Sequence, residues 1–149
     1  NMKAKILIIF VIGFLLASCA SNGQTDENVP VLTVSQGSDQ KTYSIAELKK
    51  LPRTEAVLNG VSYVGVAITS LLEAANIDAQ SVAKVRAVAS DGFSVDYEPA
   101  LFQRGDVIVA YGTKDGALSK NDGTLRMVVP GEGGKLNPRM VVRIEIVPK

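Results

Sequence analysis

The residues best suited to chemistry lie late in the chain, where Gly131-Glu132-Gly133-Gly134 follows an extended run. A glycine-rich loop after a strand can turn backbone N–H groups toward an anion and form a small concave cradle. It lacks the Lys-Ser or Lys-Thr of a Walker loop and the spacing of a dinucleotide fingerprint, so it also reads as a plain flexible connection. Carboxylates at Asp91, Asp96, Glu98 and Asp115 could do acid–base work if two of them met in environments that drove their pKa values apart. Asp91 and Asp115 each precede a glycine, however, which is ordinary tight-turn chemistry. The chain has no His, no Trp and one Cys. That excludes Ser-His-Asp and Cys-His arrangements and His-based or Cys-based zinc sites. A self-sufficient hydrolase is not expected.

The one cysteine has its own context. Asn1 precedes Met2, the expected natural start, and Lys3 and Lys5 lead into an apolar run from Ile6 to Ala17. This is the layout of an export signal, and it is shorter than the roughly 20 residues a membrane span needs. Leu16-Ala17-Ser18-Cys19 resembles the lipobox of bacterial lipoproteins. The resemblance implies cleavage before Cys19 and acylation, palmitate among the chains, of its thiol and new amino group. At about 0.8 kcal/mol per buried methylene, two or more chains hold a protein stably on a membrane. An ordinary secretory signal with an incidental Cys19 is the other reading. Residues 1–18 are thus expected as signal peptide, 19–30 as a polar tether and 31–149 as a single domain. Ala20 after the cysteine suggests, by the same resemblance, outer-membrane sorting in a two-membrane host; otherwise the cell surface is expected. Without residues 1–18 the formal charge is −1, from 14 Lys and Arg against 15 Asp and Glu. That balance argues against a nucleic-acid partner and against a polybasic membrane patch.

The elements that must position these groups are short. Val31 to Val34 predicts a strand, Gly37-Ser38-Asp39 a turn, and Ser44 with Glu47 a capping box opening a helix that Pro52 closes. Thr54 to Leu58 and Val61 to Val66 flank Asn59-Gly60, a strong hairpin signal. Ile68, Leu71, Leu72 and Ala75 mark a buried helical stripe with Asn76 as C-terminal cap. Val82 to Ala89, Phe93 to Tyr97, Val107 to Tyr111, Leu125 to Val129 and Val141 to Val147 predict further strands, with a helical turn from Glu98 to Phe102. Many short strands with two or three helices give an α+β layout.

The order of these features resembles the sulfite-oxidase-type molybdopterin-binding domain. Carrying the resemblance are Tyr43-Ser44-Ile45 through Leu51-Pro52, Tyr63-Val64-Gly65-Val66 with Leu71-Leu72, and Ala89-Ser90-Asp91-Gly92-Phe93. Val107 to Tyr111 with Asp115-Gly116, Gly123-Thr124-Leu125-Arg126 through Pro130, and Arg139-Met140-Val141 complete it. The implied fold is a mixed-sheet domain of that family. Thr124 stands where the family has proline. The family's molybdenum-ligating cysteine is expected in a loop before Tyr63, yet Arg53 to Ser62 holds none. Soft thiolate is the donor such a metal wants, and Cys19 sits on the tether.

The resemblance leaves Arg126 and Arg139 beside Gly131, Gly133 and Gly134 to grip a phosphate, or else to serve as ordinary strand-edge charges. A ligand pocket is expected near Asp91, Tyr111, Asp115, Arg126 and the glycine-rich loop. Three functions remain open. The first is a lipid-anchored binding or interaction module, without metal redox activity or required cofactor, for a protein partner or small anion. The second is a redox subunit or carrier that holds molybdopterin by its phosphate; the third is a carboxylate enzyme.

Overall fold

Leu32 and Val34 alternate with Thr33 and Ser35, and the chain there forms strand β1 (Pro30–Gln36), its apolar side buried. In the computed structural model, residues 26–149 are described; the expected signal peptide 1–18, Cys19 and the expected tether as far as residue 25 lie outside the described residues. A two-residue turn at Gly37-Ser38 leads into β2 (Asp39–Ser44), paired antiparallel with β1. Helix α1 (Ile45–Leu48) begins on the expected capping box. The Glu47 N–H donates to Ser44 Oγ at 3.2 Å and the Ser44 N–H donates to Glu47 Oε2 at 2.8 Å. Ser44→Ala is expected to cost about 1 kcal/mol of unfolding free energy, read as a lower urea midpoint at unchanged slope.

Strands β3 (Thr54–Leu58) and β4 (Val61–Ala67) close over Asn59-Gly60, both at positive φ as such a turn demands. Helix α2 (Ile68–Ala74) buries Ile68, Leu71 and Leu72, and Asn76 follows it at φ 57. Then come β5 (Val82–Ala89), β6 (Ser94–Tyr97), the short helix α3 (Pro99–Phe102), β7 (Ile108–Thr113), β8 (Arg126–Val128) and β9 (Val141–Pro148).

The strands form two sheets. One has the order β2-β1-β9-β5-β6 and is mixed, because β1 runs parallel to β9. The other, β3-β4-β7-β8, is antiparallel throughout. Leu32, Val34, Val85 and Ile144 of the first sheet share a core with Val66, Val109 and Met127 of the second. Alternation sends Tyr63, Ile108, Ala110 and Val128 to the opposite face of the second sheet, where they form a smaller cluster. Among the described residues no helix is long and apolar enough to cross a membrane.

Candidate functional site

Strand β8 decides where the first arginine goes. Met127 faces the main core, so Arg126 and Val128 face the smaller cluster. Arg126 is thereby buried, its guanidinium carbon 4.9 Å from the centre of the Tyr63 ring. Its Nη1 donates to Asp122 Oδ1 at 2.7 Å and to the Tyr63 hydroxyl at 3.2 Å, and its Nε donates to the Met127 carbonyl at 3.2 Å. Asp122 is equally buried. Its Oδ2 accepts from Ser119 Oγ at 2.8 Å, while Arg139 Nε lies 3.3 Å from Oδ1. One carboxylate thus stands between two guanidiniums. The Arg126 and Asp122 side chains are 6% and 8% exposed, whereas Arg139 is 60% exposed. Arg126 is consumed by its partner, and the surplus cation faces solvent at Arg139.

Backbone contacts hold this arrangement. The Met140 N–H donates to the Asp122 carbonyl at 2.9 Å and the Ser90 N–H donates to the Met140 carbonyl at 2.8 Å. Met140 is held at φ 54, a left-handed conformation uncommon for a bulky residue. Gly123 permits its approach: a Cβ there would stand 2.8 Å from Met140 Cγ.

The glycine-rich loop is pinned from three sides. Asn137 Oδ1 accepts from the Val129 N–H at 2.6 Å, and its Nδ2 donates to the carbonyls of Glu132 and Gly133, each at 3.0 Å. Arg104, paired with Asp106, donates to the Pro130 carbonyl at 2.9 Å. The Tyr97 hydroxyl donates to the Leu136 carbonyl at 2.8 Å, and burial pushes its pKa well up, so it stays a donor. The plain connection of the sequence reading is therefore a fixed loop.

Between the β3–β4 hairpin, the β5–β6 turn and residues 132–140 opens a cleft of about 570 Å³. That lies within the range of small-molecule sites. Asp91, Arg126, Gly134 and Arg139 line it; Gly131 and Gly133 belong to the same loop without lining it. Tyr111 and Asp115 do not reach it. Tyr111 packs half-buried against the main core, and Asp115 is exposed in the turn after β7. Asp91 Oδ1 accepts from the Phe93 N–H at 3.0 Å, so its carboxylate shapes the turn. Asp96 lies between Arg86 at 2.7 Å and Lys84 at 2.8 Å. Their hydrogen bonds, Arg86's first, hold its carboxyl down to about 2. A carboxylate so fixed in its charged form is a poor acid–base group near neutrality.

Sequence reasoning missed Tyr63, Phe93, Asn121 and Met140 in the lining, and Asp122 and Asn137 as organisers. Asp122 stands before Gly123 as an ordinary turn residue would, although its spacing of four from Arg126 is a usable signal.

The profile of the family described as oxidoreductase molybdopterin binding domain matches residues 17–149. The chain is 41% identical over 59 residues to the mitochondrial sulfite oxidase of Drosophila melanogaster, covering 39% of this chain and 10% of that protein. It superposes on the crystal structure of the sulfane dehydrogenase SoxCD from Paracoccus pantotrophus with a TM-score of 0.69 at 21% identity. That match covers 85% of this chain and 40% of the other, and shows a shared fold. The chain therefore spans well under two thirds of either relative.

Proposed function

Because the chain belongs to the family of oxidoreductase molybdopterin-binding domains, we propose that it works as a binding module of that family, exported and held at a membrane by a lipid on Cys19. Its cleft takes a small anionic ligand, and turnover at a protein-ligated metal is not part of the function. The observation that carries this reading is the charge arrangement in the cleft. Asp122 neutralises the buried Arg126 and leaves Arg139 as the accessible cation.

The donor set does not fit a molybdenum ion ligated by this chain. Cys19 is the one cysteine, and it lies outside the described residues, well ahead of β1 in the sequence. Between α1 and β4 the chain passes through β3 and the Asn59-Gly60 turn, with no cysteine on the way. Among the described residues no three His, Cys, Asp or Glu side chains are grouped to hold a metal. Asp122 has both oxygens engaged. A second reading, retention of molybdopterin through its phosphate, is favoured by the exposed Arg139 beside the Tyr63-lined cleft.

Chain purified from a cell that makes the cofactor is expected to carry molybdenum far below one atom per chain. One atom per chain by elemental analysis would overturn the proposal. Stoichiometric oxidised pterin without molybdenum, read by fluorescence, would select the second reading. Pyrophosphate is expected to raise the melting temperature, and Arg139→Ala to abolish that rise; saturation at a hundredfold Kd corresponds to about 2.7 kcal/mol.

A further inference from the structure

Six large apolar side chains stay exposed among the described residues: Val29, Val57, Val61, Phe93, Met140 and Val142. Four of them gather at one end of the five-stranded sheet. Because β1 and β9 run parallel, their first residues lie side by side, and the pairing of Ala89 with Val141 brings the β5–β6 turn to the same end. Val29, Phe93, Met140 and Val142 therefore share this end, 39–53% exposed. Phe93 and Met140 sit at the cleft, and Met140 with Val31 and Val142 lines a neighbouring groove of about 360 Å³. The large exposed apolar residues are thus concentrated where two concavities meet.

The chain enters the domain at this same end. The Ala46 N–H donates to the Glu27 carbonyl at 2.9 Å, and Lys49 Nζ lies 2.6 Å from Glu27 Oε1, which ties residue 27 to the start of α1. Ser44, just before that helix, pairs with Pro30. From Cys19 to Glu27 is a separation of eight residues, which span at most about 29 Å. A lipid on Cys19 keeps Glu27, where the chain enters this end of the domain, within that distance of a bilayer.

We propose that this end of the sheet is a membrane-docking face, with Phe93, Met140 and Val142 entering the interface of the bilayer that holds the anchor. The inference rests on the lipid-anchor reading. Contact is apolar, because the charges at this end are of mixed sign: Asp91 and Glu132 line the cleft along with Arg139, and Lys49 pairs with Glu27. Docking is therefore expected on zwitterionic lipid and to survive salt. It directs the cleft toward the membrane surface, so that its ligands are those found at the headgroup level.

The test uses the full lipidated chain in phosphatidylcholine vesicles, with Phe93→Cys and Val142→Cys each carrying a polarity-sensitive thiol probe. Gln80→Cys is the control. It lies in the turn before β5, at the opposite end of the sheet. Acylated Cys19 takes no label, so wild-type chain that labels stoichiometrically removes the anchor premise, separately from the docking result. Probes at 93 and 142 are expected to shift to the blue and to be quenched by nitroxides at a depth of about 5–10 Å. The shift should persist in about 1 M salt, where the Debye length is about 3 Å. Emission identical to that at position 80 overturns docking. A shift that appears without vesicles and grows with protein concentration assigns the face to a second copy and also overturns it. Val29→Cys replaces either variant that fails to fold.

Discussion

Asp122→Ala is expected to lower the unfolding free energy by about 3–5 kcal/mol, the cost of leaving a buried charge without its partner. Arg126 would keep the Tyr63 hydroxyl and the Met127 carbonyl, neither of which carries charge. Arg139 cannot replace the carboxylate, being a second cation at the same oxygen. Against a typical stability of about 5–15 kcal/mol, such a loss brings the domain near its threshold. The informative companion is the double variant Asp122→Ala with Arg126→Met. Replacing both members of a buried pair by apolar groups is often neutral, so the double variant should be more stable than Asp122→Ala alone. Urea unfolding followed by circular dichroism reads both. A loss below about 1 kcal/mol for Asp122→Ala would place the pair among solvent-screened surface bridges and sink the account of the cleft. Arg139→Ala should cost far less stability, since that side chain is mostly in water.

Much of the local structure was legible because local chemistry decides it. Ser44 and Glu47 satisfy each other's backbone within four residues, and Asn59-Gly60 tolerates the positive φ its hairpin requires. Ile68, Leu71 and Leu72 bury the expected helical stripe. The family resemblance supplied the domain fold. What periodicity could not supply was partnership. Alternation tells which side chains share a face but not which strand lies alongside, so the parallel pairing of Thr33 with Arg143 was invisible. The same limit explains the pocket. Ala110 pairs with Arg126 and lies on its face, which sends Tyr111 to the opposite side, toward the main core. Asp122 precedes a glycine, which marks a turn, but only the packing of Tyr63 and Arg126 turns its carboxylate inward. Asn137 carries no local signal, because its partners are backbone groups fixed by the loop it closes.

Gly65→Ala is the substitution expected to damage the domain most directly. A Cβ at Gly65 would stand 2.0 Å from the Val109 carbonyl oxygen and 2.6 Å from Ala110 Cα. Both are backbone atoms of β7, which is paired on both sides and cannot shift without disturbing β8. Overpacking a core with a methyl usually costs about 1–3 kcal/mol, when side chains can move aside. Here no side chain is in the way, so the expected loss is at or above about 3 kcal/mol. Gly112→Ala provides the comparison, since its Cβ would meet a single turn carbonyl, that of Gly116, at 2.9 Å. It should cost less. The damage at Gly65 should also reach the cleft, because Tyr63 is two residues upstream on β4 and Ala110 is the partner of Arg126. Pushing β4 from β7 therefore pulls Tyr63 away from Arg126 and loosens the support of the Asp122 pair. Gly65→Ala protein that folds with wild-type stability would mean the two strands are not in the close register on which this geometry depends. If it folds weakly instead, a pyrophosphate response reduced beyond the loss of folded protein would tie the strand contact to the cleft.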